Sequence, residues 1–139
     1  NTQLADSLIE SNPYLFFLPA AHLQEHSIEN QLPLLQYYFE HDFQIIPILI
    51  GTDNNKVLKS IAKTLKPYFN EDNLFVISSD FSHFPNYHDA QKADSLIAGA
   101  ILSNNIAEFE NAIRKNDTDN KNSQANNKYS ITLNQFIRN

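Results

Sequence analysis

Two short apolar runs, FQIIPILIG at 43–51 and LFVISS at 74–79, most narrow what this chain can fold into. Both read as buried strands, apolar on both faces, as a parallel strand covered by helices requires. Between them, Asn54 to Phe69 sets Val57, Leu58, Ile61 and Leu65 on one stripe with lysines outward, the pattern of an amphipathic helix. Strand, helix, strand in that order predicts an α/β protein with a mainly parallel sheet flanked by helices. Pro47 interrupts the first run and predicts an edge or a bulge there.

The rest of the chain adds helices around this unit. Thr2 to Glu10 has apolar residues at 4, 8 and 9, with Thr2 as a cap. Ile28, Leu32, Leu35 and Phe39 share a stripe, and Pro33 predicts that the regular helix begins in its own turn. Asp89 to Leu102 and Ile106 to Lys115 complete the set, with the loop DFSHFPNYH (80–88) after the second strand. Residues 1–115 are read as a partial α/β domain. From Asn116 the asparagine-rich NDTDNKNSQANN marks 116–139 as a polar tail, disordered or divergent, although YSITLNQFI (129–137) regains some apolar character.

Composition excludes several classes of function. Net charge is −6 and the pI is near 5.2, against nucleic acid or an anionic membrane surface as the main partner. There is no cysteine, hence no disulfide frame and no thiolate nucleophile or ligand. No apolar run approaches the ~18 residues of a membrane span, and a cytoplasmic location is expected. The chain holds no methionine and opens on Asn1, which points to a piece of a longer protein.

AAHLQEHSIENQLPLL (20–35) places two histidines four apart with an acid between them. His22, Glu25 and His26 match H-x-x-E-H, the inverted zinc-protease motif, in which two histidines on one helix face hold zinc and the glutamate is the base. That chemistry needs a helix from Pro19 through His26 and a third ligand from far downstream, for which Glu108 and Glu110 are nominal candidates. The plainer reading is a polar loop ahead of a helix. The second candidate is SSDFSH (78–83), at the carboxyl end of a buried strand, where open α/β sheets bind their ligands. Asp80 and His83 there suit acid, base or metal-ligand roles. The plainer reading is a turn in which Asp80 and Ser82 bond to backbone. A serine hydrolase lacks its G-x-S-x-G elbow here.

Taken in order, AHLQEHSIENQLPLLQYYF, FQIIPILIG and LFVISSDFSHF resemble the Memo family, known in prokaryotes as AmmeMemoRadiSam system protein B. The E-H-S-x-E-x-x-L-P motif appears as Glu25, His26, Ser27, Glu29, Leu32 and Pro33, P-x-x-x-G as Pro47 and Gly51, and S-S-D-[FL]-[SC]-H as Ser78 to His83. The resemblance covers residues 2 to 115.

It implies a fold like that of the class III extradiol dioxygenases, with the active site at strand ends. It implies that His26 takes the place of the dioxygenases' acid/base, with Glu25 orienting it or contributing charge and Asp80 and His83 nearby. In the family's animal members the metal ligands are two histidines in P-H-A-G-Y and G-P-S-H-H motifs, absent from this chain, and a cysteine where Ser82 stands. Ser82 and His83 are therefore the ligand candidates here, a serine hydroxyl being much the weaker donor to iron or copper. Iron or copper is expected in the longer parent, and no tight metal binding by these residues alone. Three functions follow: a metal-dependent redox or dioxygenase-like parent acting on a small substrate, a non-catalytic peptide- or ligand-binding module of the same fold, or the zinc peptidase. AMMECR-type and radical-SAM proteins are the partners the resemblance implies. Self-association through exposed strand edges is expected of the piece itself.

Overall fold

The computed structural model describes residues 1–23, 25–79, 81–82, 85–120 and 131–137. The chain divides into two compact units, Asn1–Ser79 with Ile131–Asn139, and Asp80–Ser130.

The first unit opens with α1 (Thr2–Ser11), capped one residue earlier than the sequence suggests. Asn1 Oδ1 accepts the Leu4 N–H at 3.0 Å, the short polar side chain that helix starts favour. A single turn, α2 (Pro19–His22), and a 3-10 turn (Glu29–Gln31) lead into α3 (Leu32–Tyr38), with Pro33 in its first turn as predicted. Strand β1 (Gln44–Leu49), helix α4 (Asn55–Leu65) and strand β2 (Asn73–Ser79) follow. Asn54 caps α4 through the N–H groups of Lys56 and Val57. Leu8, Ile46, Ile48, Ile61 and Leu65 form the core, flanked by Leu4, Leu15, Ile50, Val57, Tyr68 and Phe75. Each fully buried side chain of this kind contributes about 1.5–3 kcal/mol.

The chain is α/β, but its sheet is not the parallel one that the two apolar runs suggest. The strand order is β1-β3-β2, where β3 is Ile131–Ile137, and both ladders are antiparallel. Gln44 and Asn73 both face Ile137, so β1 and β2 run the same way with β3 set against each. The strand-helix-strand connection is present. The pairing differs because β3 lies between the two strands and runs against both. This strand falls within the segment set apart in the sequence as a polar tail. Helix α6 likewise passes Lys115, and 121–130 lie outside the described residues. Pro47 is on an edge strand, where a missing N–H is tolerated. The strands are also not covered on both faces: Leu74 and Ile77 of β2 are 43% and 60% exposed.

The second unit is a helical hairpin. Asn86 caps α5 (Tyr87–Leu102) by accepting the Asp89 N–H at 3.1 Å. Asn104, at φ 51, makes the left-handed turn that ends it, a conformation asparagine tolerates better than most residues. Asn105 then accepts the N–H groups of Ala107 and Glu108 at the start of α6 (Ile106–Asn120). Ile97, Ala100 and Ala112 are buried between the two helices, and Phe81, Leu96, Phe109 and Ile113 pack on them.

Candidate functional site

The E-H-S-x-E segment is a tight turn that runs into the 3-10 turn at Glu29 and is held by its own side chains. Glu25 Oε1 accepts the Ser27 N–H at 2.7 Å, and Gln31 Nε2 donates to the Ser27 carbonyl at 3.2 Å. The Asn30 N–H reaches the His26 carbonyl at 3.1 Å, and Ile28 is buried beneath. Three of the motif's named positions have a local job. A carboxylate at 25 satisfies the turn's amide, a small residue at 27 lets the chain reverse, and proline at 33 starts the following helix.

This geometry presents His26. Its Nδ1 lies 2.5 Å from Glu29 Oε1, and both side chains are largely exposed. An exposed pair of this kind contributes little to stability. Nδ1 is the ring nitrogen that meets the carboxylate, and Nε2 is the one outside this contact. The residue that orients His26 in this way is Glu29, to which sequence reasoning assigned no role. Its signal was present, since three residues' spacing across a turn brings two side chains together. The Ser27 hydroxyl is buried without a hydrogen-bond partner.

His22 does not join this group as a chelating pair. Helix α2 ends at His22, and Glu25 and His26 are in non-helical chain, so the continuous helix face required by H-x-x-E-H is missing. Proline at the start of α2 and the Glu25–Ser27 turn confine the helix to a single turn. An open surface groove of about 720 Å³ between α3 and β1 is lined by Gln36, Phe39, His41, Asp42 and Phe43 among others, and includes Leu32 alone of the motif.

Of the second candidate, Ser82 is described, while Asp80 and His83 lie outside the described residues. The Ser82 N–H donates to Asp94 Oδ1 of α5 at 3.0 Å, and the Ser82 hydroxyl is buried without a partner. Phe81 before it has φ 58. Among the described residues no three His, Cys, Asp or Glu side chains gather as a metal site. His26 Nδ1 is engaged by Glu29, which leaves Nε2 as its remaining donor, and the Ser82 hydroxyl is a weak ligand for iron or copper. Among the described residues no helix is long and apolar enough to cross a membrane.

An α/β chain carrying this histidine turn and a serine-rich strand end defines a class, and comparison with known proteins gives it a family. The Memo-like protein family matches residues 1–125, and the chain belongs to it. A MEMO1 family protein of Thermoplasma acidophilum is 30% identical over 115 residues, which cover 83% of this chain and 42% of that protein. One from Methanobrevibacter smithii is 37% identical over 111 residues, 78% of this chain and 38% of its own. One from Aquifex aeolicus is 40% identical over 90 residues, 64% and 34% respectively. The chain thus spans about two fifths of the length of the curated relatives it matches. No solved structure matches it.

Proposed function

We infer that the E-H-S-x-E turn supplies the acid/base group of a Memo-like protein acting on a small substrate, in redox or dioxygenase-like chemistry. One observation carries this: the 2.5 Å contact between His26 Nδ1 and Glu29 Oε1. With the proton on Nδ1 toward Glu29, Nε2 serves as the base, as a proton-transferring histidine requires. Glu25 shapes the turn. Asp80 and His83 enter the proposal by family resemblance, as further acid/base or ligand groups beside Ser82. Iron or copper belongs to it as a property of the longer family protein, as do the extradiol-dioxygenase-like fold, the cytoplasmic setting and the AMMECR-type and radical-SAM partners.

The test grafts this chain in place of the matching stretch of the Thermoplasma acidophilum relative and supplies iron(II) and a panel of small catechols. Oxygen uptake should fall on the order of 100-fold or more in His26→Gln, with metal content retained. Uptake equal to that of the unsubstituted graft would refute the acid/base role. A substrate-independent check reads the imidazole ¹⁵N shifts, which should report the proton on Nδ1 in the parent and its return to Nε2 in Glu29→Gln.

A second reading, a peptide- or ligand-binding module, is favoured by a different observation. Phe16, Phe17 and Leu23, on the chain leading into the turn, are 69%, 78% and 80% exposed. Ligand affinity that survives His26→Gln and fails in Phe17→Ser would favour it.

A further inference from the structure

The link between α3 and β1 reads FEHDF (39–43), rings at every second position with a carboxylate in each gap. In a straight extended chain this alternation would put the rings on one side and the acids on the other. The chain bends at Glu40 and His41 instead, and all five residues line the open groove beside α3. Phe39 is central to the rings, its centroid 5.6 Å from those of both His41 and Phe43. Phe39 and Phe43 are half-buried and keep part of their surface open, while Glu40, His41 and Asp42 are exposed. At about 720 Å³ the groove has the size of a small-molecule site.

The polar side chains of FEHDF offer acceptors. His41 Nδ1 lies 2.9 Å from the Asp42 carbonyl, which can only accept, so Nδ1 donates and Nε2 of the neutral ring keeps a lone pair. The Glu40 and Asp42 carboxylates have no hydrogen bond or ion pair among the described residues. No described lysine or arginine lines the groove. The carbonyl of Ile45, another lining residue, already meets a cation, accepting from the Asn1 amino group at 2.9 Å. Ring faces attract cations through their quadrupole and carboxylates attract them by charge, and neither suits an anion. We propose that this groove binds a small organic cation, an amidinium, guanidinium or primary ammonium on an apolar body. The Glu40 and Asp42 carboxylates receive the charge, and the Phe39 and Phe43 rings receive the body. The site does not depend on the reading of the His26 turn.

Benzamidine and benzamide, probes of one shape that differ in charge, test it. Amide NMR shifts of the whole chain should move at 36–45 as benzamidine is added, with roughly millimolar affinity. Benzamide should bind about fivefold more weakly or worse, the loss of one exposed charge interaction. Equal affinity for the two probes overturns the proposal, as do shifts centred outside 36–45. Glu40→Gln combined with Asp42→Asn should weaken benzamidine about tenfold and leave benzamide within about twofold of the parent. An equal loss for both probes overturns the role given to the carboxylates. This variant changes only exposed side chains, and unmoved α4 amides check its fold. Should it not fold, the comparison of the two probes on the parent chain still decides.

Discussion

Replacing Asn12 by alanine should be among the most damaging single changes to the first unit. Asn12 is 2% exposed. Its Nδ2 donates to Ser60 Oγ at 3.2 Å and Thr64 Oγ1 at 2.8 Å, and its Oδ1 accepts the Tyr14 N–H at 3.0 Å. One side chain therefore joins the end of α1 to α4. At about 1 kcal/mol net for each bond, three lost bonds amount to roughly 3 kcal/mol. Leaving the Tyr14 N–H without its acceptor adds about 1 kcal/mol. Thr64 Oγ1 already donates to the Ser60 carbonyl at 3.3 Å and so recovers part. We expect a net loss of about 3 kcal/mol, a large share of the ~5–15 kcal/mol that holds a domain together. In urea, with a slope of about 2 kcal/mol per molar, the midpoint falls by roughly 1.5 M. Far-UV circular dichroism and tyrosine fluorescence both report it, since the chain has six tyrosines and no tryptophan. Thr64→Val should cost about 1 kcal/mol less in the Asn12→Ala background than alone. A midpoint lowered by less than about 0.3 M would refute the reasoning, because water would then serve Asn12 as well as the protein does.

Three further outcomes are expected. Asn54→Ala should cost about 1 kcal/mol by removing the cap of α4, visible as a lower urea midpoint, with Asn54→Gly closer to the parent. Phe81→Ala should destabilise more than Phe81→Gly by about 1 kcal/mol, the reverse of the usual order, because only glycine adopts φ 58 without strain; equal losses on thermal melting would contradict that backbone assignment. His22→Ala should leave zinc content unchanged, since α2 stops at His22; stoichiometric zinc that disappears in this variant would restore the peptidase reading.

What the sequence shows clearly here is whatever follows from local period and punctuation. The stripe Val57, Leu58, Ile61, Leu65 is α4, and Ile61 and Leu65 are its buried residues. Pro33 starts α3, and the runs at 43–51 and 74–79 hold β1 and β2. Local signals fail where a partner is remote. Nothing in YSITLNQFI says that it pairs with two strands far earlier in the chain. Runs that look buried on both faces give no hint that an antiparallel strand separates them. At the candidate site the start of α3 was legible through Pro33, whereas Glu25, expected to orient His26 or contribute charge, accepts the Ser27 N–H. The Asp94–Ser82 bond was not legible, because a carboxylate twelve residues on in a helix resembles any solvated acid. Its one clue was position, beside Ala93 and Ile97 on the apolar side of α5. At His22 and His26 the plainer reading, a polar loop ahead of a helix, describes the chain. The spacing of the two histidines fits a helix that Pro19 and the Glu25 turn confine to four residues.

The strand order β1-β3-β2 also sets a schedule. During synthesis both outer strands leave the ribosome before the one that joins them, and each must wait with its ladder groups bonded to water. No hairpin can form early, because Gln44 and Asn73 share the single partner Ile137. Closure is a long-loop event for β1 and β2 alike, which makes it slow and leaves open edges to meet other nascent chains. It is also all or nothing, for a chaperone or protease that engages 131–137 controls both ladders at once.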